Sequence, residues 1–243
     1  MKLKTRVFVL SLPVPLLLLA LAASAQWEKK PYAEWSEKDA QKVLNDSPWG
    51  KSQVFSTPGE MFRSPTTGRQ GTATRTEPNP AQALHLNFRM RFLSARPIRQ
   101  AYSRLVELRQ KSGMNEQAAA QLKQFVSGEF LEYVIIAVTC DSQEAGANTQ
   151  QAMSLLNTRG TADLKNNTFL ETKGGHRVFL QEFQPPHQDG IGARFIFPRL
   201  VDGKPFITPE AEEIHFVSEL SGNYRLDRRY KIKDMMFDGK LEY

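Results

Sequence analysis

Cys140, which is followed by Asp141, is the one residue of this 243-residue chain that is a candidate nucleophile by type and position. Both residues follow the continuous apolar run from Tyr133 to Val138, which is typical of a central strand, and ligands often bind at the ends of such strands. A loop containing His187 could complete such a site. A free cysteine is, however, among the most often buried residue types, and the Asp-Gly pair of that loop is typical of a turn. We therefore favour an inert Cys140 and keep a reactive thiol as the alternative.

Other catalytic, metal-binding and cofactor-binding patterns are weak. The sequence has no G-x-S-x-G elbow and no S-x-x-K motif with plausible partners. Glu212 and His215 are three residues apart, but the alternation around them indicates a strand, which would point them to opposite faces. Neither Gly174-Gly175 nor Gly190-x-Gly192 lies between a strand and a helix, as a phosphate-binding loop would. We predict no metal and no cofactor.

The densest one-sided charge pattern lies near the end of the chain. Arg225, Arg229, Lys231 and Lys233 alternate with apolar residues, so that one face of a strand would carry four cations and Asp227. Such a row could contact a polyanion. The interpretation that we favour is a solvated face that discourages strand-to-strand aggregation.

All three tryptophans, Trp27, Trp35 and Trp49, lie close together in the sequence. Ser36 followed by Asp39 predicts a helix N-terminus, and this helix would end before Pro48. We expect a tryptophan-bearing helix that docks onto the main domain. The alternative is an aromatic platform, with Trp35 and Trp49 as contacts for a sugar or peptide.

The first 25 residues have the pattern of a secretory signal peptide. A cationic start and an apolar run are followed by Ala23-Ser24-Ala25, and the run is too short and too interrupted to span a bilayer. We predict cleavage after Ala25, no transmembrane anchor afterwards, and a periplasmic or secreted location. Cleavage would reduce the formal charge from +6 to +3 by removing Lys2, Lys4 and Arg6, so specific nucleic-acid binding is not expected.

Composition divides the remaining chain into three parts. Residues 26–55 form a tryptophan-rich helical segment, 56–82 a flexible linker or long loop, and 83–243 the main domain. From Ser56 to Pro80, 15 of 25 residues are Ser, Thr, Pro or Gly, which offer little surface to bury. Because Cys140 is the only cysteine, no intramolecular disulfide can form.

Periodicity in the main domain predicts an α+β fold. A strand beginning at Leu84, helices beginning near Pro97 and Asn115, and the strand from Tyr133 form a β-α-α-β unit, interpreted as a crossover between parallel neighbours. A further helix is expected from Thr149 to Arg159. The last predicted strands span 167–172, 177–183, 193–197, 213–220 and 223–233. The result is a mixed sheet with a mostly antiparallel later run and helices packed on it.

Three local patterns resemble a group of exported bacterial proteins of unknown function. They are the opening W-S-E-K (35–38) that continues to S-P-W (47–49), the phrase F-I-F-P-R (195–199), and the ending Y-K-I-K-D-M-M (230–236) with G-K-L (239–241). The resemblance implies a bacterial envelope or secreted setting. It implies no catalytic residues.

Two hypotheses of function follow. The favoured one is an exported, non-catalytic binding or structural module that works through the tryptophan segment or a strand face, with an envelope protein or a polyanion as partner. The alternative is an exported hydrolase with its site near Cys140, Asp141 and the His187 loop. Whether the protein is an enzyme stays open, with a non-enzyme favoured.

The processing prediction is specific. Since Ala23-Ser24-Ala25 matches a small-x-small cleavage site, the exported protein should begin at Gln26. Mass spectrometry of the N-terminal peptide from exported material checks this. Retention of Met1 to Ala25 in a membrane-bound product would show an uncleaved anchor instead.

Overall fold

The computed structural model describes residues 26–57, 84–110, 113–142 and 147–243. The predicted signal peptide lies outside the described residues. Most of the predicted linker lies outside them as well, and its first two residues, Ser56 and Thr57, belong to a strand.

Two antiparallel sheets form the centre of the molecule. The first has the order β1–β2–β3–β7–β6, and the second the order β11–β10–β4–β5. The strands of the first sheet are β1 (Gly50–Thr57), β2 (Leu84–Phe92), β3 (Tyr133–Ser142), β6 (Glu182–Gln184) and β7 (Ala193–Pro198). Those of the second are β4 (Thr168–Thr172), β5 (Arg177–Phe179), β10 (Glu213–Ser221) and β11 (Tyr224–Lys231). Two small hairpins pair β8 (Leu200–Val201) with β9 (Lys204–Pro205) and β12 (Met236–Phe237) with β13 (Lys240–Leu241).

The described residues form five α-helices beside the sheets, so the predicted α+β class is confirmed. They are α1 (Glu37–Asn45), α2 (Arg96–Arg109), α3 (Glu116–Ser127), α4 (Ala147–Thr158) and α5 (Thr161–Leu164). The predicted caps are present: Ser36 and Asp39 form a capping box on α1, and the Asn115 side chain accepts from the Ala118 amide at 2.7 Å. None of the helices in the described ranges is long and apolar enough to cross a membrane.

The core lies where aromatic rings of the two sheets meet. Phe195 of the first sheet contacts Phe216 of the second with ring centroids 5.6 Å apart, and Phe92 contacts Tyr230 at 4.8 Å. Both pairs are edge-to-face, and all four rings are fully buried. The alternation predicted for β2 supplies this layer, since Leu86, Phe88, Met90 and Phe92 are all fully buried.

The predicted parallel crossover is wrong. β2 and β3 are adjacent but antiparallel, with Met90 opposite Val138. The reason lies in the connection: α2 and α3 pack on each other as an out-and-back pair, which returns the chain to the end of the sheet that it left. The Leu93 amide, just after β2, therefore donates to the carbonyl of Ile135 near the start of β3, at 2.7 Å.

The two sheets are joined along both sides. On one side the strand predicted over 177–183 divides into β5 and β6, which belong to different sheets. The Leu180 amide still donates to Thr168, whereas the Gln181 amide donates to Ile196 of the first sheet. The chain thus changes sheets between two consecutive residues.

The opposite side is joined by side chains. Gln53 of β1 donates to the Arg225 carbonyl at 2.9 Å and accepts from the Asp227 amide at 2.8 Å. Arg228 of β11 donates from Nε to the carbonyl of Ser52 at 2.9 Å. The sequence interpretation missed β1, because its polar residues show no apolar alternation. Their side chains are used instead to close the sandwich.

Candidate functional site

The tryptophan residues proposed as a ligand platform lie in the core. Trp35 and Trp49 are each 1% exposed, and both rings contact Trp27 edge-to-face, at centroid distances of 5.4 and 6.2 Å. Their indole N–H groups donate to the carbonyls of Trp27 and Glu242. A platform needs an exposed ring face, and these rings have none. Their position agrees with the favoured prediction, in which the segment docks onto the main domain.

The residues of the hydrolase hypothesis are not brought together. Cys140 and Asp141 are consecutive in β3 and so point to opposite faces of the sheet. Cys140 lines a cavity of about 140 Å³, where burial, with a smaller effect of the Asp141 charge, raises the pKa of its thiol to about 12. Asp141 pairs with Arg89 at 2.7 Å. His187 is exposed and does not line the Cys140 cavity. The arrangement provides neither a thiolate nor an adjacent base.

The cationic strand face exists but carries many acids. We use the name outer charged face for the outward side chains of β4, β5, β10 and β11. Arg229 pairs with Glu213 at 2.7 Å, and Arg225 approaches Asp227 at 3.6 Å. The hydrogen bond to Glu213 raises the pKa of Arg229. Since adjacent strands supply the acids, the sequence of β11 alone overstates the positive charge of this face.

His215 lies at the centre of the outer charged face. Its side chain is 9% exposed, and Nε2 is 2.6 Å from Asp227 Oδ1 while Nδ1 is 3.5 Å from Glu171 Oε2. Arg177 extends the row by pairing with Glu171 at 2.7 Å, and this hydrogen bond is the main reason that the pKa of Glu171 is lowered. The row therefore crosses all four strands. We interpret it as a mutually neutralised network.

Lys231 and Lys233 differ from the other predicted contact residues on this face in their position and in their lack of a described ion-pair partner. Lys231 is the last residue of β11, and Lys233 lies in a 3-10 turn (Ile232–Asp234) rather than in the predicted strand. Both line an open groove of about 610 Å³ and have no ion-pair partner among the described residues. A polyanion partner at this groove stays a prediction.

A different cavity, which the sequence interpretation missed, has the most distinctive chemistry. The Arg91 pocket, as we name it, has a volume of about 490 Å³. It lies between α1, α2, the neighbouring parts of β2 and β3, and the loop at Asp189 and Gly190. Arg91 is itself only 5% exposed.

Arg91 donates four hydrogen bonds, all to neutral oxygen atoms. The acceptors are the Leu44 carbonyl (3.0 Å from Nε), Tyr102 Oη (2.9 Å from Nη1), Thr139 Oγ1 (3.1 Å from Nη1) and Asn45 Oδ1 (2.9 Å from Nη2). Within the described ranges, no carboxylate lies within ion-pair distance of Arg91. Burial of Tyr102 raises the pKa of its hydroxyl, so that this partner stays neutral.

The other arginines that line the Arg91 pocket do have acidic partners. Arg89 pairs with Asp141 at 2.7 Å, and Arg109 is 3.7 Å from Glu37. Asp189 pairs with Arg194. Arg91 is therefore the one lining arginine of the described chain whose charge has no anionic partner.

The local sequence explains how this guanidinium becomes buried. Gly50 of β1 lies opposite Arg91 in the register, and a Cβ atom at Gly50 would lie 2.3 Å from the Leu44 carbonyl oxygen. The missing side chain lets the end of α1 approach the sheet. Asn87, Arg89 and Arg91 look alike as outward residues of a half-buried strand, so their alternation does not reveal which one lies beneath the helices.

The described residues contain no group of three or more His, Cys, Asp or Glu side chains arranged to hold a metal ion. The Arg91 pocket instead combines one buried cation with hydroxyl and amide groups and an aliphatic wall. Such an arrangement can bind an anion and exclude water around it.

We predict that Cys140 reacts slowly in the native protein. A pKa of about 12 leaves a thiolate fraction at neutral pH roughly a thousandfold below that of an ordinary cysteine. Labelling with a maleimide at pH 7, followed by mass spectrometry, should be slow before unfolding and fast in denaturant. Equally rapid labelling of native and unfolded protein would restore the thiol hypothesis.

The outer charged face should tolerate loss of charge. The double substitution Arg229→Gln and Lys231→Gln changes exposed side chains, so Tm should shift by no more than about 2 °C. Ile214→Ala, on the buried face of neighbouring β10, is the contrast and should cost about 2–5 kcal/mol of unfolding free energy. Calorimetry measures both. A large loss of Tm in the double variant would mean that the ion pairs stabilise the sheet.

The comparisons with known proteins return no relatives. No family model matches the chain, and no curated protein or solved structure shows significant similarity to it.

Proposed function

We propose that this protein is an exported, non-catalytic binding module that holds a small anionic ligand in the Arg91 pocket. The observation that carries the proposal is the charge of Arg91. This guanidinium is 5% exposed, lies against a cavity of about 490 Å³, and donates only to neutral acceptors. Export is supported by the pattern of residues 1–25 and by the resemblance to exported bacterial proteins.

Arg91 carries its positive charge in the protein interior. Removing a cation from water is costly unless an opposite charge or well-placed dipoles replace the solvent. The dipole of α1 partly replaces the solvent around Arg91. Leu44 and Asn45 belong to the last turn of α1, and a helix C-terminus carries roughly half a negative charge. The remaining positive charge favours an anion in the cavity beside it.

The groups around Arg91 favour binding over catalysis. The oxygen atoms nearest to Arg91 belong to an amide, a carbonyl and two hydroxyls, and none of these is an activated nucleophile. Asp141, the lining carboxylate of the hydrolase hypothesis, is already engaged by Arg89. The groups around Arg91 suit positioning and charge recognition.

The test exploits two matched positions on α2. Val106 lines the Arg91 pocket and is 40% exposed, whereas Leu108 is 39% exposed and does not line it. Val106→Asp places a negative charge at the pocket without emptying the core. A negative charge in the lining of the pocket should weaken binding of an anion by about tenfold. Leu108→Asp should leave binding unchanged.

Native mass spectrometry of exported protein, followed by release and identification of small molecules, is the measurement. We expect an anionic molecule on the unaltered protein and on the Leu108→Asp variant, and less of it on the Val106→Asp variant. Recovery of no bound anion from the unaltered protein, together with no stabilisation by any added anion, would contradict the proposed function.

A further inference from the structure

We infer that the ligand of the Arg91 pocket is a monocarboxylate with an aliphatic body. This inference rests on the proposed function and adds the chemical class of the ligand. Three features of the pocket carry it: the number of uncommitted donors, the two carboxylates in its lining, and the apolar wall on its helical side.

The donors match two oxygen atoms. A guanidinium has five N–H groups, and Arg91 uses four of them on Leu44, Asn45, Tyr102 and Thr139, which leaves one N–H on Nη2. Thr139 Oγ1 accepts from Arg91, and its own hydrogen is not committed to an acceptor among the described residues. The Tyr102 hydroxyl is directed to the Ile191 carbonyl at 3.3 Å. One N–H and one O–H suit the two oxygens of a carboxylate, whereas a phosphate dianion has more acceptors than these donors can satisfy.

The carboxylates of the lining limit the charge of the ligand. Asp141 and Asp189 line the same cavity as Arg91, and each already has an arginine partner, Arg89 and Arg194 respectively. A single anionic group can approach Arg91, which has no acidic partner. A second anionic group that approached Asp141 or Asp189 would meet a like charge, which lowers affinity in a partly enclosed cavity.

The helical wall of the cavity is aliphatic. Leu44 of α1 and Leu105 of α2 are buried, and Val106 continues this surface toward the solvent. The body of a ligand anchored on Arg91 would extend along these side chains. Burial of methylene groups there adds affinity that inorganic anions cannot gain.

Hexanoate and adipate are the matched probes, because they have the same chain length and differ by one carboxylate. Inorganic phosphate and hexylammonium complete the set. Isothermal titration with the mature protein should show hexanoate binding at least tenfold tighter than adipate or phosphate, and no binding of hexylammonium. Val106→Lys should strengthen hexanoate binding, and Leu108→Lys should not.

The role of Asp189 is tested separately. Asp189→Asn keeps the shape of the side chain but removes its charge, so adipate should gain several-fold more affinity than hexanoate does. Asp202→Asn, in the remote β8–β9 hairpin, removes the same charge and should have no effect. This pair of variants distinguishes local repulsion from a change in net charge.

The two proposals fail in different ways. Adipate or phosphate binding as tightly as hexanoate, with the same dependence on position 106, would overturn the monocarboxylate inference and leave the proposed function intact. If hexanoate does not bind while another anion is recovered by native mass spectrometry, the monocarboxylate inference is likewise overturned and the proposed function stands. If hexanoate binds the Val106→Lys and Leu108→Lys variants with equal affinity, it binds outside the Arg91 pocket and the inference is overturned.

Discussion

The buried guanidinium of Arg91 connects more elements of this molecule than any other polar group that we describe. From a position in β2 it donates to the end of α1, to Tyr102 of α2 and to Thr139 of β3. These bonds hold the helical layer against the first sheet, and they leave the charge itself without an anionic partner. Arg99, a second buried arginine, also has no ion-pair partner among the described residues but does not line the Arg91 pocket. It donates to backbone carbonyls around the end of α3, stacks over Phe130 at 4.9 Å, and its pKa is lowered to about 10 by burial.

A rigid sandwich supports this arrangement. Aromatic contacts fill the space between the sheets, and the sandwich is joined by the β5–β6 crossing on one side and by Gln53 and Arg228 on the other. β2 and β3 each pair with a neighbouring strand on both sides, so hydrogen bonds hold the backbone beneath the Arg91 pocket along both of its edges. Rigidity of this kind lowers the cost of ordering a binding site. The outer charged face lies on the opposite sheet and is not part of the pocket.

Local patterns predicted most of the larger helices and strands but not how the strands pair. Alternation from Leu86 to Phe92 correctly predicted which side of β2 is buried, and the caps at Ser36 and Asn115 correctly placed two helix starts. The predicted parallel direction of β2 and β3 was wrong, because a helix pair between two strands can return the chain to either end of a sheet. The depth of burial of individual side chains could not be predicted either. Arg89 and Arg91 belong to the same alternating pattern, yet only Arg91 lies under α1 and α2. Burial of a polar side chain depends on the tertiary packing around it, which a pattern along the chain does not contain.

Anion binding at Arg91 is tested most directly by the nuclear magnetic resonance signal of the Arg91 side chain. The Nε–H correlation of Arg91, assigned by its loss in Arg91→Lys, can be followed during titration with hexanoate, with the buried Arg99 Nε–H as internal reference. We expect a saturable shift of the Arg91 signal, no shift of the Arg99 signal, and no response to hexylammonium. An Arg91 signal that stays fixed while hexanoate saturates the protein would contradict binding at Arg91.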